Sequence, residues 1–364
     1  MRIALVHDYL NEYGGAERVL EALSEMWPDA PIYTAFCMPG SSAHRAFKGR
    51  KIITSWMQYI PWREKLHSPF RFMLPWVWES FDFSGYDLII TSASWYITKG
   101  LGQKFKVPEI CYCHTPPRWL YGYATSVNFK KYWPVRIYGL LVGHFLRMYD
   151  FTQAQKVDMF VANSQNVANR ITKFYRRDSV VIYPPVEVTK LLSKSVKKDY
   201  YLIVSRLVGG KGLEMAIEAA QASGIKIKVA GETAGWARIN IPPNIECLGR
   251  VTEEEKVKLM TEAKAFLALA ADEDFGITPV ESMLCGTPVI AYNGGGYKET
   301  VVDGKTGVLF DEYSATGLVK AIQRFNKLKW DEKTLKKHAE KFSKARFKTQ
   351  MLELVNKYAG TARN

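Results

Sequence analysis

The sequence predicts an α/β protein built from two doubly wound domains, each a parallel sheet with helices on both faces. Strand-like and helix-like segments alternate along most of the 364 residues, and such alternation is typical of parallel sheets. Paired prolines, Pro184 and Pro185, are followed by a stretch rich in Lys and Ser at 189–199, a composition that marks linkers. We therefore expect a first domain at residues 1–186 and a second at 200–342.

Both domains show the expected alternation of segments. In the first, strands are expected at 3–7, 87–91, 109–113, 159–162 and 180–183, and helices at 16–26 and 166–174. In the second, strands are expected at 201–205, 226–230, 245–248, 265–270 and 288–292, and helices at 213–222, 253–263, 277–285 and 315–325. The final segment, 331–358, is predicted as one helix whose apolar stripe packs on the first domain, to which we assign residues 343–364.

The net charge of +14 is unevenly distributed. Residues 1–185 contribute +8 and residues 326–364 contribute +7, whereas the stretch between them is close to neutral. Two basic ends indicate an anionic partner, and charge alone leaves nucleic acid, an anionic membrane surface and a phosphorylated acceptor open.

The cysteine content and the hydropathy of the sequence predict the cellular location of the protein. Five cysteines form an odd and sparse set, which argues against a disulfide framework and favours a reducing compartment. The N-terminus lacks the apolar core of a signal peptide, and the apolar run at 137–146 is shorter than the roughly 20 residues that span a bilayer. We expect a cytoplasmic protein, with the inner face of the cell membrane as a peripheral location.

The most specific pattern is a pair of glutamates, Glu273 and Glu281, at a strand-to-helix junction. Glu273 falls in the loop after a predicted strand, and Glu281 lies in the first turns of the helix that begins near Ile277. Helix N-termini present N–H groups and a positive dipole end, which suits phosphate. A loop carboxylate can hold sugar hydroxyls, and one farther along can accept hydrogen bonds from two ribose hydroxyls.

This pattern resembles the E-x7-E motif of the family 4 glycosyltransferases, which are retaining enzymes of the GT-B fold. Other segments resemble the motifs of that family in the same order. They are Gly14-Gly15-Ala16-Glu17, His114-Thr115-Pro116-Pro117-Arg118, Ala162-Asn163-Ser164, Ser205-Arg206 through Lys211-Gly212, Gly249-Arg250-Val251 and Gly295-Gly296-Tyr297-Lys298-Glu299. The resemblance spans about residues 1–358. It implies two Rossmann-like domains facing a central cleft, the first for the acceptor and the second for a nucleotide sugar.

The resemblance also implies roles for the matched residues. Arg206 and Lys211 contact the donor diphosphate, where fixed cations stabilise the charge of the leaving group. Glu273 orients the sugar, Glu281 holds the ribose, and His114 lies near the transferred sugar. The implied catalytic set is His114, Arg206, Lys211 and Glu273. The implied donor-binding set is Gly14, Gly15, Arg206, Lys211, Arg250, Val251, Glu273, Phe275, Gly276, Ile277 and Glu281.

No metal or other cofactor is expected. Asp272-Glu273-Asp274 matches the D-x-D that binds metal in the other glycosyltransferase fold, but Arg206 and Lys211 supply the positive charge that Mg²⁺ would supply. Cys111, Cys113 and His114 are metal-ligand types, yet the sequence holds no second ligand cluster to complete a four-ligand site.

The donor and the acceptor follow from a narrower resemblance. The run from His114 to Tyr121 resembles that of mannosyltransferases in bacterial surface-polysaccharide synthesis, which implies GDP-mannose and an α-mannosyl product. A UDP-hexose donor stays open. The implied acceptor is a glycan or a polyprenyl-diphosphate-linked sugar, and an anionic membrane surface is a further expected partner of the first domain.

Three other classes compete with this interpretation. A nucleotide-sugar 2-epimerase shares the fold, but the E-x7-E motif disfavours it. A nicotinamide-dependent dehydrogenase needs G-x-G-x-x-G after the first strand, which residues 13–19 do not supply. A nucleic-acid-binding protein is suggested by charge alone, without a recognisable motif, and we expect no nucleic-acid partner.

Residues 53–83 contain four tryptophans interleaved with basic residues. Two interpretations stay open: a packed helical lid or core, and a membrane-surface patch, since Trp and basic side chains suit the bilayer interface. Residues 119–149 have a similar composition.

Overall fold

The computed structural model describes residues 1–61, 69–123, 133–188, 196–205, 210–231 and 241–361. These residues form two compact units, each organised around its own parallel sheet. The first unit comprises the described residues up to Pro185 together with the tail from Lys344, and the second runs from Val186 to Ser343. The first unit therefore ends at the second of the paired prolines.

Strands and helices alternate through both units. The strands are β1 (Ile3–His7), β2 (Ile32–Thr34), β3 (Ile52–Thr54), β4 (Leu88–Ala93), β5 (Glu109–Cys113), β6 (Met159–Ala162), β7 (Ser179–Val181), β8 (Tyr201–Val204), β9 (Ile227–Ala230), β10 (Ile245–Gly249), β11 (Ala265–Ala268), β12 (Val289–Tyr292) and β13 (Gly307–Phe310). The helices are α1 (Gly15–Met26), α2 (Ser42–Ala46), α3 (Leu74–Glu79), α4 (Trp133–Gln155), α5 (Gln165–Tyr175), α6 (Leu213–Ser223), α7 (Glu253–Glu262), α8 (Ile277–Leu284), α9 (Tyr297–Thr300), α10 (Ala315–Asn326), α11 (Glu332–Ala339) and α12 (Lys344–Thr361).

The first sheet has the strand order β3-β2-β1-β4-β5-β6-β7 and separates two apolar layers. Leu20 of α1 and Phe347 of α12 share a buried cluster with Leu5 of β1. Because side chains alternate along a strand, the next residue, Val6, packs in a different cluster. The predicted packing of the C-terminal helix on the first unit is confirmed.

The tail is two helices rather than the single helix predicted over 331–358. α11 is followed by a 3₁₀ turn at Glu340–Phe342 and by Ser343, whose ψ of 151° is extended. Phe342 is buried against Phe275, with 5.4 Å between the ring centroids. This anchor holds the break at the point where the chain leaves the second unit.

The second sheet has the order β10-β9-β8-β11-β12-β13, and all its pairings are parallel. The chain runs outward from β8 in one direction and from β11 in the other, so the strand order reverses between these two strands. Ligands of open α/β sheets bind outside the carboxyl ends of the strands at such a reversal. The predicted fold class, two doubly wound α/β domains, is confirmed.

Sequence patterns missed β2, β3, β13 and α4, and also the short helices α2, α3 and α9. The three strands have only three or four residues, which is too short for alternation to stand out. α4 is apolar on its buried side at Leu146 and also on its exposed side at Leu140 and Leu141, so it lacks the one-sided pattern of a typical surface helix.

The tryptophan-rich segment at 53–83 lies partly in the core and partly on the surface. Trp78 is buried and donates its indole N–H to the carbonyl of Tyr96 at 2.8 Å. Trp76 is 54% exposed, and Trp62 lies outside the described residues. Among the helices that the structure describes, none combines the length and the apolar character needed to cross a bilayer.

Candidate functional site

The loop after β8 packs closely on the end of β11, at the reversal of the second sheet. Gly212 has a φ of +73°, and a Cβ atom there would collide with the carbonyl oxygen of Leu269. Only glycine satisfies both the left-handed backbone and the close approach, so this residue fixes where the neighbouring Lys211 leaves the backbone. Arg206, predicted to act beside Lys211, lies outside the described residues.

Lys211 and Glu273 form an ion pair at this edge of the sheet. The distance from Lys211 Nζ to Glu273 Oε2 is 2.8 Å, and the two side chains are 36% and 23% exposed. The structure thus brings together two residues that the sequence placed in one site. A partly exposed ammonium can bind a phosphate oxygen, and a partly exposed carboxylate can accept hydrogen bonds from sugar hydroxyls.

Three consecutive glycines after β12 pack against the loop that holds Glu273. The N–H of Gly296 donates to the carbonyl of Glu273 at 2.8 Å. A Cβ atom on Gly294 would lie 2.6 Å from the carbonyl oxygen of Ala271, and one on Gly295 would collide with the backbone of Glu273. The glycine loop therefore acts as a backing layer that sets the position of the Glu273 backbone.

Tyr297, directly after these glycines, packs against Gly276 in the same loop. A Cβ atom on Gly276 would lie only 2.8 Å from the Tyr297 ring, and Gly276 itself has a φ of +91°. Burial, together with the nearby charge of Glu273, raises the pKa of Tyr297 well above its ordinary value. Gly276 is the N-cap residue of α8, and the predicted residues Phe275 and Ile277 flank it, with Phe275 buried.

Glu281 lies inside α8 and is 1% exposed. Lys256 of α7 places its Nζ 3.1 Å from Glu281 Oε1 and 2.6 Å from the exposed carboxylate of Glu253. The sequence analysis missed Lys256. The available signal was its spacing of four residues from Met260, which places both on the inner face of α7.

Arg250 and Val251 follow the outer strand β10, two strands away from the reversal. Gly249 ends this strand with a φ of +68°, and its carbonyl accepts the N–H of Gly231 at 2.8 Å. Arg250 is exposed and Val251 is half-buried. Both residues sit at the carboxyl edge, directly before the N-cap Thr252 of α7.

In the first unit, His114 follows β5 at the carboxyl edge of the sheet and ends a chain of buried polar groups. Its Nε2 lies 2.8 Å from the hydroxyl of Ser92, and that hydroxyl lies 3.0 Å from Nδ1 of His7. The Nε2 of His7 lies 3.3 Å from Glu17 Oε1. Asn163 donates to the carbonyl of His114 at 2.9 Å, so both ring and backbone of His114 are held.

Glu17 connects this chain to the glycine turn before α1. The N–H of Gly14 donates to Glu17 Oε2 at 2.8 Å, and Gly15 is the first residue of the helix. Burial raises the pKa of Glu17, but the interactions with His7 and the backbone N–H groups of Glu17 and Gly14 together outweigh it, so the net pKa is lowered. The carboxylate form of Glu17 therefore anchors the turn.

Sequence reasoning missed His7 and Ser92, which lie at the ends of neighbouring strands. Register pairs His7 of β1 with Ser92 of β4. Polar residues at the carboxyl ends of two predicted strands were the available signal. Cys111 and Cys113 are buried in an apolar cluster, and the part of the chain with described placement brings together no group of three His, Cys, Asp or Glu side chains suited to a metal ion.

Two family models match consecutive parts of the chain. The model for Glycosyltransferase Family 4 matches residues 13–190, and the model for Glycosyl transferases group 1 matches residues 189–346. Together they cover the chain from shortly before α1 to the start of α12.

Characterised and uncharacterised relatives share low identity with this chain. An uncharacterized glycosyltransferase of Methanocaldococcus jannaschii is 27% identical over 208 residues, which cover 56% of this chain and 58% of that protein. The alpha-1,3/1,6-mannosyltransferase alg2 of Schizosaccharomyces pombe is 24% identical over 252 residues, which cover 54% of this chain and 47% of that protein. The chain thus spans about half the length of these relatives.

Solved structures of the same fold match almost the whole chain. Sucrose-phosphate synthase from Thermosynechococcus elongatus has a TM-score of 0.73 at 19% identity, covering 99% of this chain and 100% of that one. HepE from Anabaena, in complex with UDP-glucose, has a TM-score of 0.75 at 18% identity, covering 98% and 100%. With its two matching family models and this shared architecture, the chain belongs to glycosyltransferase family 4 and has the GT-B fold.

Proposed function

We propose that the chain is a retaining glycosyltransferase that transfers α-mannose from GDP-mannose to a glycan or a polyprenyl-diphosphate-linked acceptor. The observation that supports the transfer chemistry best is the Lys211–Glu273 pair at the reversal of the second sheet. In this proposal Lys211 is the cation that binds the diphosphate, and Glu273 is the carboxylate that binds the sugar. A nucleotide-sugar donor requires both groups.

In the proposed reaction the bond from the anomeric carbon to the diphosphate oxygen breaks, and a bond to the acceptor oxygen forms on the same face of the sugar. Lys211, together with Arg206 of the same motif, stabilises the negative charge that develops on the diphosphate. The departing phosphate oxygen takes the proton of the acceptor hydroxyl. Glu273 holds the sugar hydroxyls and so keeps the anomeric carbon aligned for same-face attack.

His114 is proposed to contact a hydroxyl of the transferred sugar. Its ring is held through Nε2 by Ser92, and the residue lies at the carboxyl edge of the sheet, where ligands of such sheets bind. The buried chain behind it restricts the ring to one orientation, which favours a positioning contact over a mobile acid or base.

Two observations bear on the donor. Relatives such as the mannosyltransferase of Schizosaccharomyces pombe favour mannose, as does the run from His114 to Tyr121. The complex of HepE with UDP-glucose keeps a UDP-hexose donor as the alternative. No metal is required in the proposed reaction, because the fixed cations perform the charge stabilisation.

The first test is thermal stabilisation by GDP, GDP-mannose, UDP and UDP-glucose. A ligand at 100 times its Kd stabilises the folded state by about 2.7 kcal/mol, so a true donor raises the Tm measurably. Response to the GDP pair alone supports the mannose assignment, and response to the UDP pair alone replaces it with the alternative donor. The absence of any response refutes the glycosyltransferase proposal.

The second test separates chemistry from binding. Glu273→Ala should lower kcat about 100-fold through misplacement of the sugar while donor affinity changes little, and Glu254→Ala, an exposed glutamate on α7, is the matched control. The anomeric configuration of the product, measured by NMR, decides between retention and inversion. Release of an epimerised sugar nucleotide without acceptor would instead indicate the 2-epimerase.

A further inference from the structure

α4 presents a continuous apolar face to solvent. Its exposed large side chains recur at helical spacing over five turns, which places them on one side of the helix. They are Trp133 at 72% exposure, Ile137 at 49%, Leu140 at 69%, Leu141 at 70%, Phe145 at 52%, Met148 at 61% and Phe151 at 38%. Scattered apolar residues are ordinary on a surface, whereas a continuous patch of this kind marks an interaction site.

The opposite side of α4 is anchored in the first unit. Leu146 is fully buried in the apolar cluster that also contains Val6 and Trp78. Asp150 is buried in an ion pair with Lys99. The helix is therefore fixed in orientation, and its outer face cannot roll inward to hide the exposed side chains.

The charges around this face are basic. Arg136 and Arg147 lie along one edge of the apolar stripe, by their helical spacing. The only acidic residue in the helix sequence is Asp150, which is buried. An apolar face with a basic edge, on a helix that has no exposed acidic residue of its own, matches an anionic lipid surface.

The neighbouring 3₁₀ turn at Pro69–Met73 extends the same surface. The hydroxyl of Tyr138 on α4 donates to the carbonyl of Pro69, and Phe72 in this turn is 36% exposed. Phe72 thereby adds a further aromatic side chain beside the N-terminal half of the helix.

We propose that the outer face of α4 is a membrane-binding surface that lies in the plane of an anionic lipid bilayer. The helix does not qualify as a membrane-crossing segment, so its apolar side chains would enter the lipid interface while the buried side stays attached to the protein. This inference does not depend on the donor chemistry, because α4 lies outside every motif assigned to the donor.

A second copy of the chain is the competing occupant, and charge disfavours it. An antiparallel two-fold contact through this face would bring Arg136 and Arg147 of one copy toward the same basic edge of the other. Two such basic edges repel each other. The same positive charges are attracted to an anionic bilayer.

Vesicle flotation of the full chain tests the proposal. Vesicles of phosphatidylcholine with phosphatidylglycerol are compared with vesicles of phosphatidylcholine alone. The double variant Leu140→Asn/Leu141→Asn should lower the partition coefficient about 100-fold, because two leucines no longer enter the lipid. Leu352→Asn, which changes a leucine that is 47% exposed on α12, is the matched control and should bind as the unaltered chain does.

Arg136→Gln tests the electrostatic part separately. It should lower binding about fivefold on the anionic vesicles and leave the weaker binding to neutral vesicles unchanged. Equal vesicle binding by the unaltered chain and the double variant overturns the proposal, as does no binding of the unaltered chain to anionic vesicles. A dimer in light scattering that the double variant converts to monomer, without vesicle binding, overturns it in favour of self-association.

Discussion

In the proposed site, the ion pair between Lys211 and Glu273 competes with binding of the diphosphate to Lys211. This competition predicts the direction in which mutations of the two residues change diphosphate affinity. Both side chains are partly exposed, 36% and 23%, so solvent screens their attraction and the pair stabilises the fold by less than about 1 kcal/mol. A diphosphate would replace Glu273 as the partner of Lys211. A charge-assisted hydrogen bond to that diphosphate is worth about 1.5–3 kcal/mol, or roughly 10-fold to 100-fold in Kd.

The perturbations are Lys211→Met, Glu273→Gln and the two combined. Lys211→Met should weaken binding of the nucleoside diphosphate about 10-fold to 100-fold and lower the free energy of unfolding by less than about 1 kcal/mol. Glu273→Gln should leave binding of the diphosphate unchanged or tighten it a few-fold, because the ammonium no longer has to leave a carboxylate. The double variant should bind as weakly as Lys211→Met alone.

Isothermal titration calorimetry with GDP and with UDP measures the affinities, and urea unfolding measures the stabilities. Lys258→Met, a change at an exposed lysine on α7, controls for the loss of one positive charge from the second unit. Weaker diphosphate binding in Glu273→Gln would refute the reasoning, because the carboxylate would then support the phosphate site instead of competing with it. A loss of more than about 2 kcal/mol of stability in Lys211→Met would show that the pair is structural.

Two further changes test the framework of each unit. Gly295→Ala should lower the free energy of unfolding in urea clearly more than Gly304→Ala does. Both glycines have positive φ, which costs about 1 kcal/mol for alanine, but only an alanine at 295 would collide with the Glu273 backbone. Equal losses of stability would contradict the packing. Burial raises the pKa of Glu109 to about 7, although hydrogen bonds from the N–H groups of residues 100–102 lower it. Between the ordinary pKa of 4.5 and 7, the folded state therefore holds a proton that the unfolded state releases. The stability that this proton provides is fully present below pH 4.5 and is lost as the pH rises through 7. Glu109→Gln should lack this fall of about 3 kcal/mol, and a parallel pH dependence of the two proteins would contradict the assignment.

The site in the second unit could be predicted from sequence because its residues follow two central strands directly. Lys211 and Glu273 are distant in the chain, but each occupies the loop after a strand at the reversal, where parallel strands end at the same edge. Gly295 and Gly296 were recognised only as part of a motif, and Gly294 was not recognised. Their function as a backing layer depends on the distance from Gly294 to Ala271, which no local pattern contains.

The polar chain in the first unit could not be predicted, because it depends on strand register. His7 and Ser92 become neighbours only when β1 and β4 pair in the observed register, and a shift by one residue would place their side chains on opposite faces of the sheet. The apolar face of α4 was obscured for another reason. Exposed Leu140 and buried Leu146 look alike in the sequence, so hydropathy alone does not separate the exposed side of the helix from the side that packs on the core.

Glu17 shows why a glutamate belongs to the glycine motif of the first unit. One of its oxygens accepts the N–H of Gly14, and the other lies 3.3 Å from Nε2 of His7, which continues through Ser92 to His114. A single carboxylate therefore fixes the glycine turn and the far end of the buried chain at once. Shifting the turn would pull on the carboxylate and relax its contact with His7, so the orientation of the His114 ring is linked to the conformation of the turn. Within the motif, the glutamate is thus the shared partner of the glycine turn and of the His7 ring.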